Sequence, residues 1–261
     1  MAYVDPNWCM IDRYPVHELI PLISWEHFFH TWHVKSGTDE ALRLRHEAEQ
    51  FLRDSHLDIR FLCQPFEAHA EADDIVLGDT RIPFLRQQVP TPEGYCLCMS
   101  DFVHPVHDVV YVFATTVHQP GTLNLEPGTW NLEPDDPYRS LLTQTLADRL
   151  AEAAAERLQQ QLMQDRRFPH THVIRPAVGY PMMPDMSINF LLDQLCDLSR
   201  IGIHLTENGM MQPHASVSGL MIANPHASYF AVGPISEEQL SDYARRRGYD
   251  EILMRKFLGV S

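Results

Sequence analysis

The chain has 261 residues, a size that suits one large domain or two small ones, and its 44% hydrophobic and 21% charged content is that of an ordinary folded protein. Its 35 acidic against 20 basic residues give a formal charge of −15 at pH 7, which repels phosphate backbones and anionic lipid and argues against nucleic-acid or membrane partners. Asp5 and Asp12 interrupt the N-terminal stretch, so it does not read as a signal peptide, and five cysteines without a CxxC motif point to a reducing, cytoplasmic location rather than a disulfide framework.

In chain order, residues 15–32 (PVHELIPLISWEHFFHTW) read as a strand or turn, broken at Pro21, leading into a buried aromatic helix. Ala41, Leu44, Ala48, Phe51 and Leu52 recur at helical spacing between Asp39 and Asp54, opposite Arg43, Glu47 and Gln50, and predict an amphipathic helix there. From 57 to 117 the runs RFLCQPF, DDIVLGD, GYCLCMSDFV and VVYVFATTV, separated by Gly, Pro and Asp, predict antiparallel strands. The proline-rich stretch 119–137, with Asn-Leu-Glu-Pro at 124 and again at 131, predicts a surface loop insertion. Asp136-Pro137 then makes an N-cap and first turn for a helix of roughly 25 residues, whose core stripe is Leu142, Leu146, Leu150, Ala154, Leu158 and Leu162. A second apolar-faced helix spans Ser187 to Arg200 and closes at Gly202. IHLT, ASVSGLMIA and SYFAVG predict strands, and Ser236 with Gln239 has the spacing of a capping box opening a helix that ends at Gly248. Strands and helices are not in βαβ alternation, so the class is α+β within a single domain, 1–261.

Several chemical motifs fail on inspection. His27, His30 and His33 fan over about 120° of a helix, too wide for three ligands of one metal, and predict a histidine-rich helix flank and no metal site. Cys96 and Cys98 are expected on one strand face as small buried residues. ASVSGL lacks the first glycine of a nucleophile elbow, and neither common phosphate-binding glycine loop is present. More informative is Arg175-Pro176-Ala177-Val178-Gly179-Tyr180-Pro181. Here a planar guanidinium suited to a carboxylate precedes a turn pinned by two prolines, with a glycine that lets a ligand approach the main chain. The alternative reading is a rigid connector with an exposed arginine. Asp148, Glu152 and Glu156 share the helix face opposite the leucine stripe, which by itself reads as a solvated acidic face.

LADRLAEAAAERL (146–158), IRPAVGYPMMPD (174–185) and residues 201–248, in that order and spacing, resemble the S-adenosylmethionine-binding activation domain of cobalamin-dependent methionine synthase. ISWEHFFHTW, EADDIVL, PFLRQQ, CLCMSDFV and VYVFATT extend the likeness toward the N-terminus. The resemblance implies a C-shaped α+β domain, an antiparallel sheet with flanking helices, holding S-adenosylmethionine in a shallow groove. It implies that Arg175 binds the methionine carboxylate and that Ala177, Gly179 and Tyr180 line the adenosine and ribose region. Glu152 would face the ligand from the long helix and Tyr229 would lie near the sulfonium.

The chain also departs from that family. Ser24 stands where the family carries an aspartate facing the ligand's ammonium, Met182, Met183 and Met186 occupy the segment after the tyrosine-proline pair, and Asn224 replaces a histidine. No DxHxxG corrinoid-ligand motif and no barrel domains are present. Two functions follow from the resemblance. In one, the chain is a reactivation module that donates a methyl group to a reduced corrinoid on a separate methionine synthase protein, with a flavodoxin-like reductant. In the other, it methylates a small molecule in the same groove, with His27 or His30 as general base.

Overall fold

The computed structural model describes residues 9–119, 136–164 and 172–260. Nearly all of the proline-rich loop expected at 119–137 therefore lies outside the described residues. The chain opens with β1 (Met10–Tyr14), a short α1 (Val16–Leu19) and α2 (Trp25–Thr31), followed by α3 (Asp39–Asp54) with the bounds its periodicity predicts. Thr38 caps α3 by accepting the Ala41 N–H at 3.2 Å. Then come β2 (Asp58–Glu71), β3 (Asp74–Leu77), β4 (Thr80–Pro83) and β5 (Asp108–His118).

These strands and the later β6 (Val173–Ile174) and β9 (Ser216–Ala223) build one antiparallel sheet in the order β4-β3-β2-β5-β9-β6. β1 pairs with residues 59–63 of β2 and β3 with residues 68–71, so the two share one edge of the 14-residue strand. Pro65, which has no N–H to give a ladder, falls in the gap between them. β5 is buried on both faces from Val110 to His118, which is why its sequence reads as an almost unbroken apolar run.

One face of the sheet packs on α1 to α3 and on α4 (Pro137–Gln164), through residues such as Phe61, Phe113, Leu146, Leu150 and Leu158. All six residues of the expected stripe on α4 are buried, and Asp136 Oδ1 accepts the Arg139 N–H at 2.9 Å, the predicted cap. α2 docks on α4, where Trp32 Nε1 donates to Thr145 Oγ1 at 3.2 Å. The other face carries α5 (Ile188–Cys196) and the small ribbon β7 (His204–Leu205) with β8 (Met211–Gln212). The last two helices, α6 (Glu237–Arg247) and α7 (Glu251–Leu258), make a third apolar cluster with Leu85 and Val232.

Five expectations are corrected. GYCLCMSDFV is not a strand: Met99–Phe102 is a 3-10 turn, and the backbone around it is satisfied by side chains. Arg86 donates to the Cys96 carbonyl at 2.7 Å while also binding Asp73 and Asp101, and Asp101 accepts the Cys98 N–H at 2.8 Å. Cys96 and Cys98 therefore do not share a strand face. The helix expected to reach Arg200 ends at Cys196, because Asp197 turns left-handed (φ 52°) and Asp193 Oδ1 takes the Leu198 N–H. A separate 3-10 turn, Leu198–Ile201, then runs to Gly202.

SYFAVG is no strand either: its main chain is spent on single bonds, Val232 N–H to Pro181 O and Gln87 Nε2 to Ala231 O, both 2.9 Å. Finally, the capping box of α6 is half formed. Ser236 accepts the Gln239 N–H at 3.2 Å, but the Gln239 amide reaches away to the Arg86 carbonyl.

Candidate functional site

β6 delivers Arg175 to the edge of β9, and the turn that follows is laid onto that strand residue by residue. Leu220 N–H donates to Pro176 O at 3.0 Å, Val178 N–H donates to Ser218 O at 2.9 Å, and Ala177 bridges to Gly219. Gly219 is essential to this approach, since a Cβ there would sit 2.1 Å from Pro176 O. Gly179 adopts φ +85° and its N–H donates to Met183 O at 2.8 Å, which reverses the chain and projects the Tyr180 side chain outward. A Cβ on Gly179 would lie 2.9 Å from Met186 Sδ, so the thioether that departs from the family pattern packs directly under the turn.

The side chains of this turn meet α4. The Arg175 guanidinium, 13% exposed, lies 3.6 Å from Glu152 and 3.7 Å from Glu156, and its Nε donates to Gln159 Oε1 at 3.3 Å. Its Cζ stands 5.8 Å from the centre of the Phe113 ring, an apolar floor from the sheet. The Tyr180 hydroxyl donates to Glu152 Oε1. Burial and the Glu152 charge push the Tyr180 phenol above its usual range, so it is a neutral donor. The Tyr229 hydroxyl accepts the Arg175 N–H at 2.6 Å, although its ring is 61% exposed. Arg175, Ala177, Gly179, Tyr180, Glu152 and Tyr229 thus form one constellation.

The acidic stripe of α4 is only partly solvated. Glu156 is 43% exposed, whereas Glu152 lies against Arg175 and Asp148, one turn earlier, has one carboxylate oxygen buried. Burial raises the Asp148 carboxyl above its usual range, opposed by His214, whose Nδ1 is 3.5 Å away. Sequence reasoning missed Gln159 and His214. Gln159 continues the 148, 152, 156 stripe at helical spacing, a signal that was there to be read; nothing local marks His214.

Ser24 is the residue that precedes α2, and its Oγ is 2.6 Å from His27 Nδ1, leaving α2 without a side-chain cap. His27 and His30 are both exposed on α2, and His33 lies past its end. Among the described residues no group of three or more His, Cys, Asp or Glu side chains could hold a metal ion, and no helix is long and apolar enough to cross a membrane.

A cation floored by an aromatic ring, faced by two carboxylates and a phenol and presented on a pinned turn, fits a small zwitterion. Residues 15–248 match the family model for the vitamin B12 dependent methionine synthase activation domain. The chain belongs to that family. Among solved structures, the activation-domain chain superposes on a crystal structure of the MetH reactivation domain bound to AdoHcy with a TM-score of 0.82. That likeness covers 99% of this chain and 91% of the other at 26% identity. The α+β architecture implied by the sequence is therefore the activation-domain fold, with its antiparallel sheet and flanking helices.

Proposed function

We propose that this chain binds S-adenosylmethionine at the Arg175–Glu152–Tyr180 constellation and serves as a reactivation module, donating the methyl group to a reduced corrinoid held by a separate protein. A flavodoxin-like protein is the electron donor in this reading. The observation that carries it is the pairing of Arg175 with Glu152 and Glu156 at 3.6 and 3.7 Å, longer than a tight ion pair. Site and ligand are both zwitterionic, so binding exchanges partners: the ligand carboxylate takes the Arg175 fork, and its cationic groups take the released carboxylates. No net charge is buried uncompensated.

Further support comes from the turn. Gly179 exposes main chain where the adenosine would lie, with the buried Ala177 beneath it, and Tyr180 and Tyr229, both exposed, are placed to flank it. The bound sulfonium supplies an electrophilic methyl group. Glu152, hydrogen-bonded by Tyr180, neutralises the positive charge before transfer, and once that charge is gone the acidic face of α4 holds the product less tightly. The family membership and the AdoHcy-bound relative point the same way.

Incubating the chain with methyl-labelled S-adenosylmethionine and a cob(I)alamin carrier protein should yield labelled methylcobalamin, and the chain alone should turn over nothing. Methylation of a small molecule without corrinoid, lost in His27→Ala or His30→Ala, would replace this reading with a self-contained methyltransferase.

The serine before α2 gives a second expectation. Ser24→Asp should tighten S-adenosylmethionine binding by about tenfold or more, by restoring a charge-assisted contact to the ligand ammonium. Calorimetry on the two proteins checks it; unchanged or weaker binding would show that the ammonium is held elsewhere.

A further inference from the structure

The amide of Gln159 joins the last strand of the sheet to the arginine of the site. Its Nε2 donates to Val173 O on β6 at 2.6 Å, and its Oε1 accepts from Arg175 Nε at 3.3 Å. The two bonds fix the orientation of the amide. A carbonyl only accepts and a guanidinium only donates, so a flipped amide would set like against like at both ends. Arg175 follows directly on β6, which is an edge strand, so Gln159 ties the guanidinium to the same backbone that carries it. Of the five guanidinium hydrogens, the single one on Nε goes to Gln159. Glu152 and Glu156, 3.6 Å from Nη1 and 3.7 Å from Nη2, stand beyond hydrogen-bonding distance. Among the described residues, the hydrogens of the two terminal nitrogens are therefore the ones left for a ligand.

We infer that Gln159 is a positioning residue for Arg175 and sets how strongly the site selects a ligand that bears a carboxylate. The inference rests on the S-adenosylmethionine reading and concerns the protein side of that contact. A fork held at Nε meets a carboxylate end-on, through Nη1 and Nη2. Freed at Nε, the guanidinium can close onto Glu152 and Glu156 as a tight ion pair, which the ligand must then break. Holding the fork in advance also removes the cost of ordering it when the ligand arrives. A neutral amide suits this task. A glutamate at 159 could accept from Nε but could not donate to Val173 O, and it would set a third carboxylate around Arg175.

The test is calorimetric titration with S-adenosylmethionine and with its decarboxylated analogue, which keeps the sulfonium, the amine and the adenosine but presents no carboxylate to Arg175. Gln159→Leu should weaken S-adenosylmethionine binding about tenfold and leave the analogue within about twofold, the size expected when a charge-assisted hydrogen bond is loosened. Gln159→Glu, which keeps a polar side chain at this partly buried position, should lower the ratio of the two affinities at least as far. In an Arg175→Ala background, Gln159→Leu should add nothing. Equal weakening of both ligands, an unchanged ratio, or a loss that adds to that of Arg175→Ala would overturn the inference alone. A wild type that binds neither ligand would overturn the S-adenosylmethionine reading beneath it, and one that binds both alike would overturn the assignment of Arg175 to the carboxylate.

Discussion

Arg175→Ala should weaken S-adenosylmethionine binding by at least an order of magnitude. The guanidinium is held in place before any ligand arrives: Gln159 fixes Nε, Phe113 floors it, and Pro176 stiffens the backbone on which it stands. A planar fork so positioned gives a carboxylate charge-assisted hydrogen bonds worth about 1.5–3 kcal/mol, or roughly ten- to a hundredfold in affinity. The substitution also leaves Glu152 and Glu156 facing each other without a cation, so part of the loss is unfavourable charge in the free protein. Arg175→Lys separates the two effects, because it keeps the charge and loses the fork. Binding should fall in both variants, with Arg175→Lys the more stable in thermal unfolding. Equal calorimetric affinity of Arg175→Ala and the parent would remove the carboxylate contact from the proposal.

Arg247→Ala should be strongly destabilising, by about 3–5 kcal/mol, because it strands a buried charge. Arg247 and Asp185 are 4% and 1% exposed, with Nε 3.1 Å from Oδ2. Asp185 also accepts from the Tyr243 hydroxyl at 2.8 Å and from the Ser187 N–H at 2.8 Å, while Arg247 donates to Ser187 Oγ at 2.8 Å. This network clamps α6 to the segment that follows the Arg175–Pro181 turn, so its loss should loosen the site as well as the fold. The expected loss corresponds to a fall of roughly 10 °C in melting temperature for a domain of this size. Replacing the pair together, as Arg247→Met with Asp185→Leu, should recover much of it, since no lone charge is then left buried. Chemical denaturation measures both; a loss under about 1 kcal/mol in Arg247→Ala would show that water reaches Asp185.

What the sequence reveals of the site depends on how local each signal is. The Arg175 turn is legible because prolines and a glycine constrain their own backbone, whatever packs around them. The acidic face of α4 is misread because helical periodicity separates faces without saying what covers each one. Ala151, Ala153, Ala154 and Ala155 are all buried, so α4 is packed around much more than its leucine stripe, and small alanines there let neighbouring backbone come close. The strand expectations fail where side chains take over the ladder's work, with Arg86 and Asp101 serving the backbone near Cys98. His214 becomes visible only in three dimensions, since its partner on α4 is far away in the chain.

The position of β5 bears on how the chain is made. Its first neighbour, β2, has already been synthesised when β5 appears, but its second, β9, comes much later: Thr116 and Ser216, which pair across the two strands and share a 2.8 Å hydroxyl contact, are 100 residues apart. Until β9 emerges from the ribosome, the central strand presents one unpaired edge whose flanking side chains are among the most apolar in the molecule. An open edge of this kind is a template for wrong pairing with other nascent chains. α4, made in the interval, can cover the face of the strand but cannot bond its edge. Chaperone demand during synthesis should therefore peak after β5 is complete and end once residue 223 is free to fold.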